Sequence, residues 1–110
     1  VKSFRVVFVY ESADTLTAAQ KSVIYAKTVS DYLDLHCTKE AGLAGWRRFD
    51  KDADATADQP TMRALWQAVQ PKVTSVPCLA IEVNGKVEIV GLPGSPDAAV
   101  TLLKKYAEGK

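Results

Sequence analysis

Two cysteines and a single histidine are the side chains of this 110-residue chain best suited to act as nucleophile or base. His36 and Cys37 are adjacent, and adjacent residues of a helix do not face each other, so they do not form a catalytic dyad. Cys78 begins a predicted strand, and no cation or histidine lies near it in sequence to lower its pKa. We therefore expect Cys78 to be a small buried apolar residue.

The two thiols are also predicted to lie far apart. Cys37 falls near the end of the first predicted helix, about 20 residues from its start, which corresponds to about 30 Å at the rise of an α-helix. Cys78 directly follows Pro77, and we place Pro77 near the start of that helix. Because a disulfide needs Cα atoms within about 7 Å, no bridge between the two cysteines is expected.

A run of aspartates after residue 49 has the spacing of a cation-binding loop. Asp50, Asp52 and Asp54 alternate as in the D-x-D-x-D start of a calcium loop, in which carboxylates converge on a hard cation. Ala55 stands where that motif needs a glycine, and Thr61 stands where it needs a bidentate glutamate. We expect a solvated acidic loop without a metal. Weak calcium or magnesium binding by the three aspartates is the alternative.

Composition and charge exclude several classes of function. Fourteen basic and thirteen acidic residues give a net charge of +1, so no long-range field attracts nucleic acid or an anionic membrane. A content of 47% hydrophobic and 25% charged residues is typical of a soluble domain, and we expect one domain over residues 1–110. The longest apolar run, Val6 to Tyr10, is too short for a membrane span or a signal-peptide core.

The compartment is predicted from the cysteines. Two unbridged thiols favour a reducing, cytoplasmic environment. The first residue is Val1 and not methionine, which leaves open a removed leader or excision from a longer protein.

The first half of the chain predicts a strand followed by a long helix. Phe4 to Tyr10 is almost continuously apolar, which is typical of a central strand covered on both faces. Thr17 and Gln20 have capping-box spacing, so a helix is expected to begin there. Apolar residues then recur every three or four positions and predict one amphipathic helix that ends before Gly42 or Gly45. Its predicted buried stripe is Ala19, Val23, Ala26, Val29, Leu33 and Cys37.

The second half predicts an edge strand, a helix, a hairpin and a final helix. Trp46 to Asp50 carries charge and suits a sheet edge, and Pro60 is suited to the first position of a helix that ends near Pro71. Asn84-Gly85 predicts a tight hairpin turn, and Ser95 predicts the N-cap of the last helix. The element order is β-α-β-α-β-β-α, an α/β fold with a central mixed sheet flanked by helices.

The predicted edge strand also suggests an interface. Trp46, Arg47 and Arg48 combine aromatic and basic side chains, which are common interface anchors, and an edge strand can pair with another chain. Trp66 lies on the apolar stripe of its helix and is expected to be buried. We therefore consider a weak homodimer through the Trp46–Phe49 edge.

The element order and several short segments resemble the thioredoxin-like superfamily over nearly the whole chain. Val76-Pro77 stands where that family has a hydrophobic residue followed by a cis-proline, directly before the third core strand. Residues 83–87 and Val90-Gly91 are similar to the hairpin and its following glycine, and residues 8–11 are similar to the strand that leads to the redox loop. The resemblance implies a thioredoxin-like fold, a cis bond before Pro77, and pairing of that backbone with an extended peptide.

This chain departs from the family at the redox loop. Residues 13–16 read Ala-Asp-Thr-Leu and contain no cysteine, whereas dithiol exchange needs two thiols at the start of the helix. The aromatic residue before the first family cysteine is replaced by Ser12, and the buried acid of the first strand by Val7. The divergence excludes conventional thioredoxin activity, and no cofactor is expected.

We therefore expect a redox-inactive domain that binds a protein or peptide and is not an enzyme. Its contact surface is formed by residues 11–17, 75–77 and 91–95, which we name the Pro77 rim. The alternative is a glutathione- or thiol-dependent enzyme with Cys78 as its single catalytic thiol. The predicted binding residues share this rim and are Ser12, Ala13, Asp14, Thr15, Ser75, Val76, Pro77 and Gly91.

Overall fold

The computed structural model describes residues 2–13 and 15–109, which form a mixed α/β fold. The strands are β1 (Phe4–Tyr10), β2 (Lys39–Glu40), β3 (Leu43–Ala44), β4 (Trp46–Asp50), β5 (Cys78–Val83) and β6 (Lys86–Gly91). The helices are α1 (Ala18–Ile24), α2 (Lys27–His36), α3 (Pro60–Val69) and α4 (Pro96–Ala107), and α3 continues into a 3-10 turn at Gln70–Lys72. Within the described residues, no helix is both long and apolar enough to cross a bilayer.

The main sheet has four strands in the order β4-β1-β5-β6. β1 runs parallel to β4 and antiparallel to β5, and β6 returns antiparallel to β5. The predictions of a central first strand and of an edge strand at residues 46–50 are therefore confirmed. Residues Val6 to Val9 of β1 are paired on both sides, and Val6, for example, lies between Trp46 and Ile81.

Alternation along β1 divides the core between the two faces of the sheet. Phe4, Val6 and Phe8 pack with α1, α2 and α4, whereas Val7 and Val9 pack with α3. All five side chains are at most 1% exposed. The uninterrupted apolar sequence of this strand is thus explained by a helical layer on each face.

The predicted long helix is interrupted, and this part of the prediction was wrong. α1 ends at Ile24, and Ala26 has an extended backbone (φ −65°, ψ 131°) before α2 begins. Arg48 Nε donates a hydrogen bond to the Ile24 carbonyl over 2.7 Å, and its guanidinium lies 4.9 Å from the Tyr25 ring centroid. A continuous helix would pair that carbonyl with the amide of Thr28. The arginine of the edge strand thus satisfies the end of α1.

The predicted helical stripe and its end also need correction. Four of the six predicted residues are buried, but Ala19 is exposed and Ala26 is only half-buried. α2 ends at His36, and Ala41 and Gly42, both at positive φ, turn the chain into the small β2–β3 hairpin. A two-residue strand is too short to produce a readable alternation, so this hairpin was not predicted.

The predicted caps and turns are confirmed. Thr17 and Gln20 form a complete capping box, and Ser95 accepts a hydrogen bond from the Ala98 amide at the start of α4. Asn84 and Gly85 have φ values of 53° and 89°, which is the left-handed region that a tight hairpin turn requires. The Val76–Pro77 bond is cis.

Glu82 is a buried charged residue that closes the sheet end opposite Pro77. It is 5% exposed, and its carboxylate accepts hydrogen bonds from Ser3 Oγ (2.6 Å), from Arg5 (2.6 Å) and from the Gly85 amide (2.8 Å). Burial raises the pKa of Glu82, but the bonds from Ser3, Gly85 and Arg5 lower it more, so the pKa lies below its usual value. The group ties the N-terminal segment to the β5–β6 hairpin.

We predict that Arg48→Lys destabilises the protein by about 1–2 kcal/mol, because lysine keeps the charge but loses the Nε bond to Ile24 and the planar contact with Tyr25. Urea denaturation measures the change. Arg63→Lys is the matched control, since Arg63 makes one exposed bond, to the Thr56 carbonyl. Equal losses in both variants would contradict a specific role for Arg48.

We predict that Glu82→Gln lowers the free energy of unfolding at pH 7 by about 2 kcal/mol and makes it fall less steeply as the pH is lowered. Since the folded pKa lies below the reference value of 4.5, the contribution of Glu82 is complete above that pH and is lost as the pH falls through the folded pKa. Urea midpoints between pH 7 and pH 3 measure this slope. Glu108→Gln, at an exposed site, should keep the wild-type slope, and an equally steep slope in Glu82→Gln would refute the assignment.

Candidate functional site

The loop after β1 and the segment before β5 lie side by side at one end of the sheet. They enclose a cavity of about 270 Å³. β1 and β5 are antiparallel with Val9 opposite Cys78, so the end of one strand is beside the beginning of the other. The lining residues come from these two segments and from α1, and are Glu11, Thr15, Leu16, Gln20, Val76 and Pro77.

Most of the predicted binding residues lie at or next to this cavity. Thr15, Val76 and Pro77 line it, and Ser12 and Ala13 are exposed in the same loop. Ser75 is exposed directly before Val76. Asp14 lies outside the described residues.

Two residues modify the predicted site. Gly91 is exposed opposite Cys78 in the β5–β6 pair and does not line the cavity. Gln20 does line it and was not predicted, because its capping-box role accounted for its position in the sequence. Its amide oxygen accepts a hydrogen bond from the Thr17 backbone, so capping places this side chain at the cavity wall.

Asp50, at the end of β4, holds the loop that carries Ser12. Its Oδ2 accepts a hydrogen bond from the Ser12 amide over 2.6 Å, and its Oδ1 accepts one from the Asp52 amide over 2.8 Å. Bonds from Ser12 and from Asp52 lower the pKa of Asp50 to about 2. The carboxylate is therefore ionised throughout the neutral range, and the loop is tied to the edge strand.

The acidic cluster that forms differs from the predicted one. Carboxylate oxygens of Glu11, Asp50 and Asp52 lie within 4.8 Å of one another, a spacing that could hold a metal ion. Asp54 instead accepts a hydrogen bond from the Thr56 amide. Asp50 is the last residue of β4, as the predicted strand at residues 46–50 has it. The Lys51 ammonium lies 3.1 Å from Glu11 and 3.2 Å from Asp52, so two of the three carboxylates already form ion pairs with a lysine of the same chain.

The two cysteines lie on opposite faces of the sheet. Cys37 packs with α2 and α4 on one face, and Cys78 packs with α3 on the other. Both are free and buried, with exposures of 3% and 2%. Burial raises the pKa of Cys37 to about 12 and also raises the pKa of Cys78. Both side chains therefore have the surroundings of inert core thiols, which gives no support to Cys78 as a nucleophile.

The side chains of the Trp46–Phe49 edge are engaged within the chain. Trp46 Nε1 donates to Asp34 over 2.8 Å, and Phe49 lies 4.9 Å from the buried ring of Trp66. Arg47 pairs with Asp58 over 3.0 Å and also donates to the carbonyls of Ala44 and Trp46. Its guanidinium thus covers part of the edge that a second strand would need. The homodimer stays a prediction.

Comparisons of the chain with models of protein families, with curated proteins and with solved structures found no match. The site is therefore interpreted from its own residues and geometry.

We predict that Cys78 of the native protein reacts with iodoacetamide at neutral pH at least about tenfold more slowly than an exposed thiol, because burial raises its pKa and restricts access. Peptide mass spectrometry after timed alkylation measures this rate in the wild-type protein. Thr15→Cys places an exposed thiol in the same rim and serves as the reactive control. A rate for Cys78 equal to that control, with an apparent pKa below 8, would instead support the thiol-enzyme alternative.

Proposed function

We propose that this chain is a redox-inactive, thioredoxin-like domain that binds an extended segment of a partner protein at the Pro77 rim. The element order supports the thioredoxin-like assignment when α1 and α2 are taken together as the first helix and the β2–β3 hairpin as an addition. The position of Pro77 directly before β5, the third strand of the main sheet in chain order, supports it further.

The observation that carries the binding proposal is the unpaired backbone of Val76. Among the residues that the structure describes, neither the amide nor the carbonyl of Val76 takes part in a hydrogen bond, and β5 begins only at Cys78. These groups lie beside the cavity that Val76 and Pro77 line. An extended chain placed there would supply the missing backbone bonds, as in strand addition to a sheet edge.

The cavity offers a second element of recognition. It has room for one side chain of moderate size, and its walls combine the apolar surface of Leu16 and Pro77 with polar groups of Thr15 and Gln20. Backbone bonds provide affinity without regard to sequence, whereas a pocket beside them selects side chains. A binding module therefore fits this geometry.

The thiols give no support to redox chemistry at the same place. Residues 11–17 contain no cysteine, and the Cys78 side chain points into the α3 core. Dithiol exchange requires a nucleophilic thiolate and a second thiol within reach. Cys37, on the other face of the sheet, does not meet that requirement.

We predict that short extended peptides bind at the Pro77 rim. The test uses three N-acetylated, C-amidated nonapeptides in which valine alternates with serine, lysine or glutamate, titrated into the isotope-labelled full chain while amide shifts are recorded. Binding of at least one peptide should shift the amides of Val76, Thr15, Leu16 and Gln20. Thr15→Trp should weaken that binding at least about tenfold, because the indole fills the cavity that the peptide side chain would enter.

Thr101→Trp on α4 is the matched control, since Thr101 is also exposed and lies outside the rim. It should bind as the wild type does. No shift at the rim with any of the three peptides would refute the proposed function, as would shifts confined to the β6 edge.

A further inference from the structure

An acidic cluster lies beside the Pro77 rim and shares Glu11 with it. Carboxylate oxygens of Glu11, Asp50 and Asp52 lie within 4.8 Å of one another, and the Lys51 ammonium contacts Glu11 and Asp52. Three carboxylates face one ammonium, so the cluster itself carries a net negative charge. The hydrogen bonds that lower the pKa of Asp50 to about 2 keep its carboxylate ionised.

Glu11 connects this charge to the cavity. It belongs to the acidic cluster and also lines the cavity together with Val76 and Pro77. Its side chain is 18% exposed. Oε1 accepts a hydrogen bond from the Ala13 amide, and Oε2 lies 3.1 Å from the Lys51 ammonium. None of the six lining residues is basic, so no described residue of the cavity lining brings a positive charge to oppose that of Glu11.

We propose that the occupant of the rim is an extended peptide segment that carries lysine or arginine, with the cationic group directed into the cavity toward Glu11. This inference rests on the proposed function, because the Val76 backbone holds the segment. Side chains at every second position of an extended chain share one face, so one residue of the segment faces the cavity while its neighbours point away. The charge of the cluster complements a cation at that position and repels an acidic one.

A cationic side chain fits these observations better than a metal ion does. The cluster is already served by the ammonium of Lys51, which bridges Glu11 and Asp52 at 3.1 and 3.2 Å. A lysine or arginine of the partner adds a second group of the same chemistry beside the first. A metal ion between Glu11 and Asp52 would compete with the ammonium that bridges them, and its binding would make no use of the Val76 backbone.

The test compares the affinities of the three valine-containing nonapeptides for the full chain in 50 mM NaCl. We expect the lysine peptide to bind about twofold to fivefold more tightly than the serine peptide, and the glutamate peptide to bind most weakly, since exposed ion pairs contribute on this scale. The preference should disappear in 500 mM NaCl, where the screening length falls to a few Å. The affinity of a fourth nonapeptide, in which valine alternates with arginine, shows whether the planar guanidinium is preferred to the ammonium.

Two variants test which carboxylates cause the preference for the lysine peptide, and a third serves as the control. Glu11→Gln should abolish the difference between the affinity for the lysine peptide and the affinity for the serine peptide. Asp52→Asn, at an exposed position, should lower the affinity for the lysine peptide about twofold to threefold, because it removes a more distant charge. Glu108→Gln removes one negative charge beyond α4 and should change none of the affinities.

The outcomes separate this inference from the proposed function. Equal affinities for the lysine, serine and glutamate peptides at the rim would overturn the charge preference and leave the binding proposal intact. No binding of any peptide would overturn both. Shifts of the Glu11, Asp50 and Asp52 amides with calcium chloride alone, without a preference for the lysine peptide, would assign the cluster to a metal ion and refute the inference.

Discussion

Burial of β1 on both faces is the constraint on which the rest of the structure depends. Phe4, Val6 and Phe8 require an apolar layer on one side, and Val7 and Val9 require another on the opposite side. The chain satisfies the first requirement with α1, α2 and α4 and the second with α3. β4 and β5 pair with the two edges of β1, so its backbone groups are satisfied as well.

The same strand places the candidate site. Because β5 runs antiparallel to β1 with Val9 opposite Cys78, the segment before β5 arrives beside the loop that follows β1. Because β4 runs parallel to β1, Asp50 ends at the same place and holds the Ser12 amide. Three segments that are distant in sequence thus meet at one end of the sheet, where backbone groups are not committed to the ladder.

The two-sided core also determines where the polar and reactive side chains lie and which groups they contact. Cys37 and Cys78 are assigned to opposite faces, which separates the thiols by a layer of sheet. Arg48 is used to satisfy the end of α1, and Arg47 covers part of the edge of β4. Glu82 is buried where Arg5, Ser3 and Gly85 supply its hydrogen bonds, which offsets the cost of removing a carboxylate from water. Each group is explained by contacts made across the sheet.

The sequence alone determined the features that arise from local chemistry or from short periodicity. These include the central strand at residues 4–10, the caps at Thr17 and Ser95, the Asn84-Gly85 turn and the edge position of residues 46–50. It also predicted that the segments at Ser12 and Val76 lie together, and the structure brings them to one end of the sheet. Tertiary structure decided the break at Tyr25, the inclusion of Gln20 in the cavity and the exchange of Asp54 for Glu11 in the acidic cluster. Those features depend on side chains from different segments, such as Arg48 on Ile24, whose meeting is set by strand register and not by local sequence.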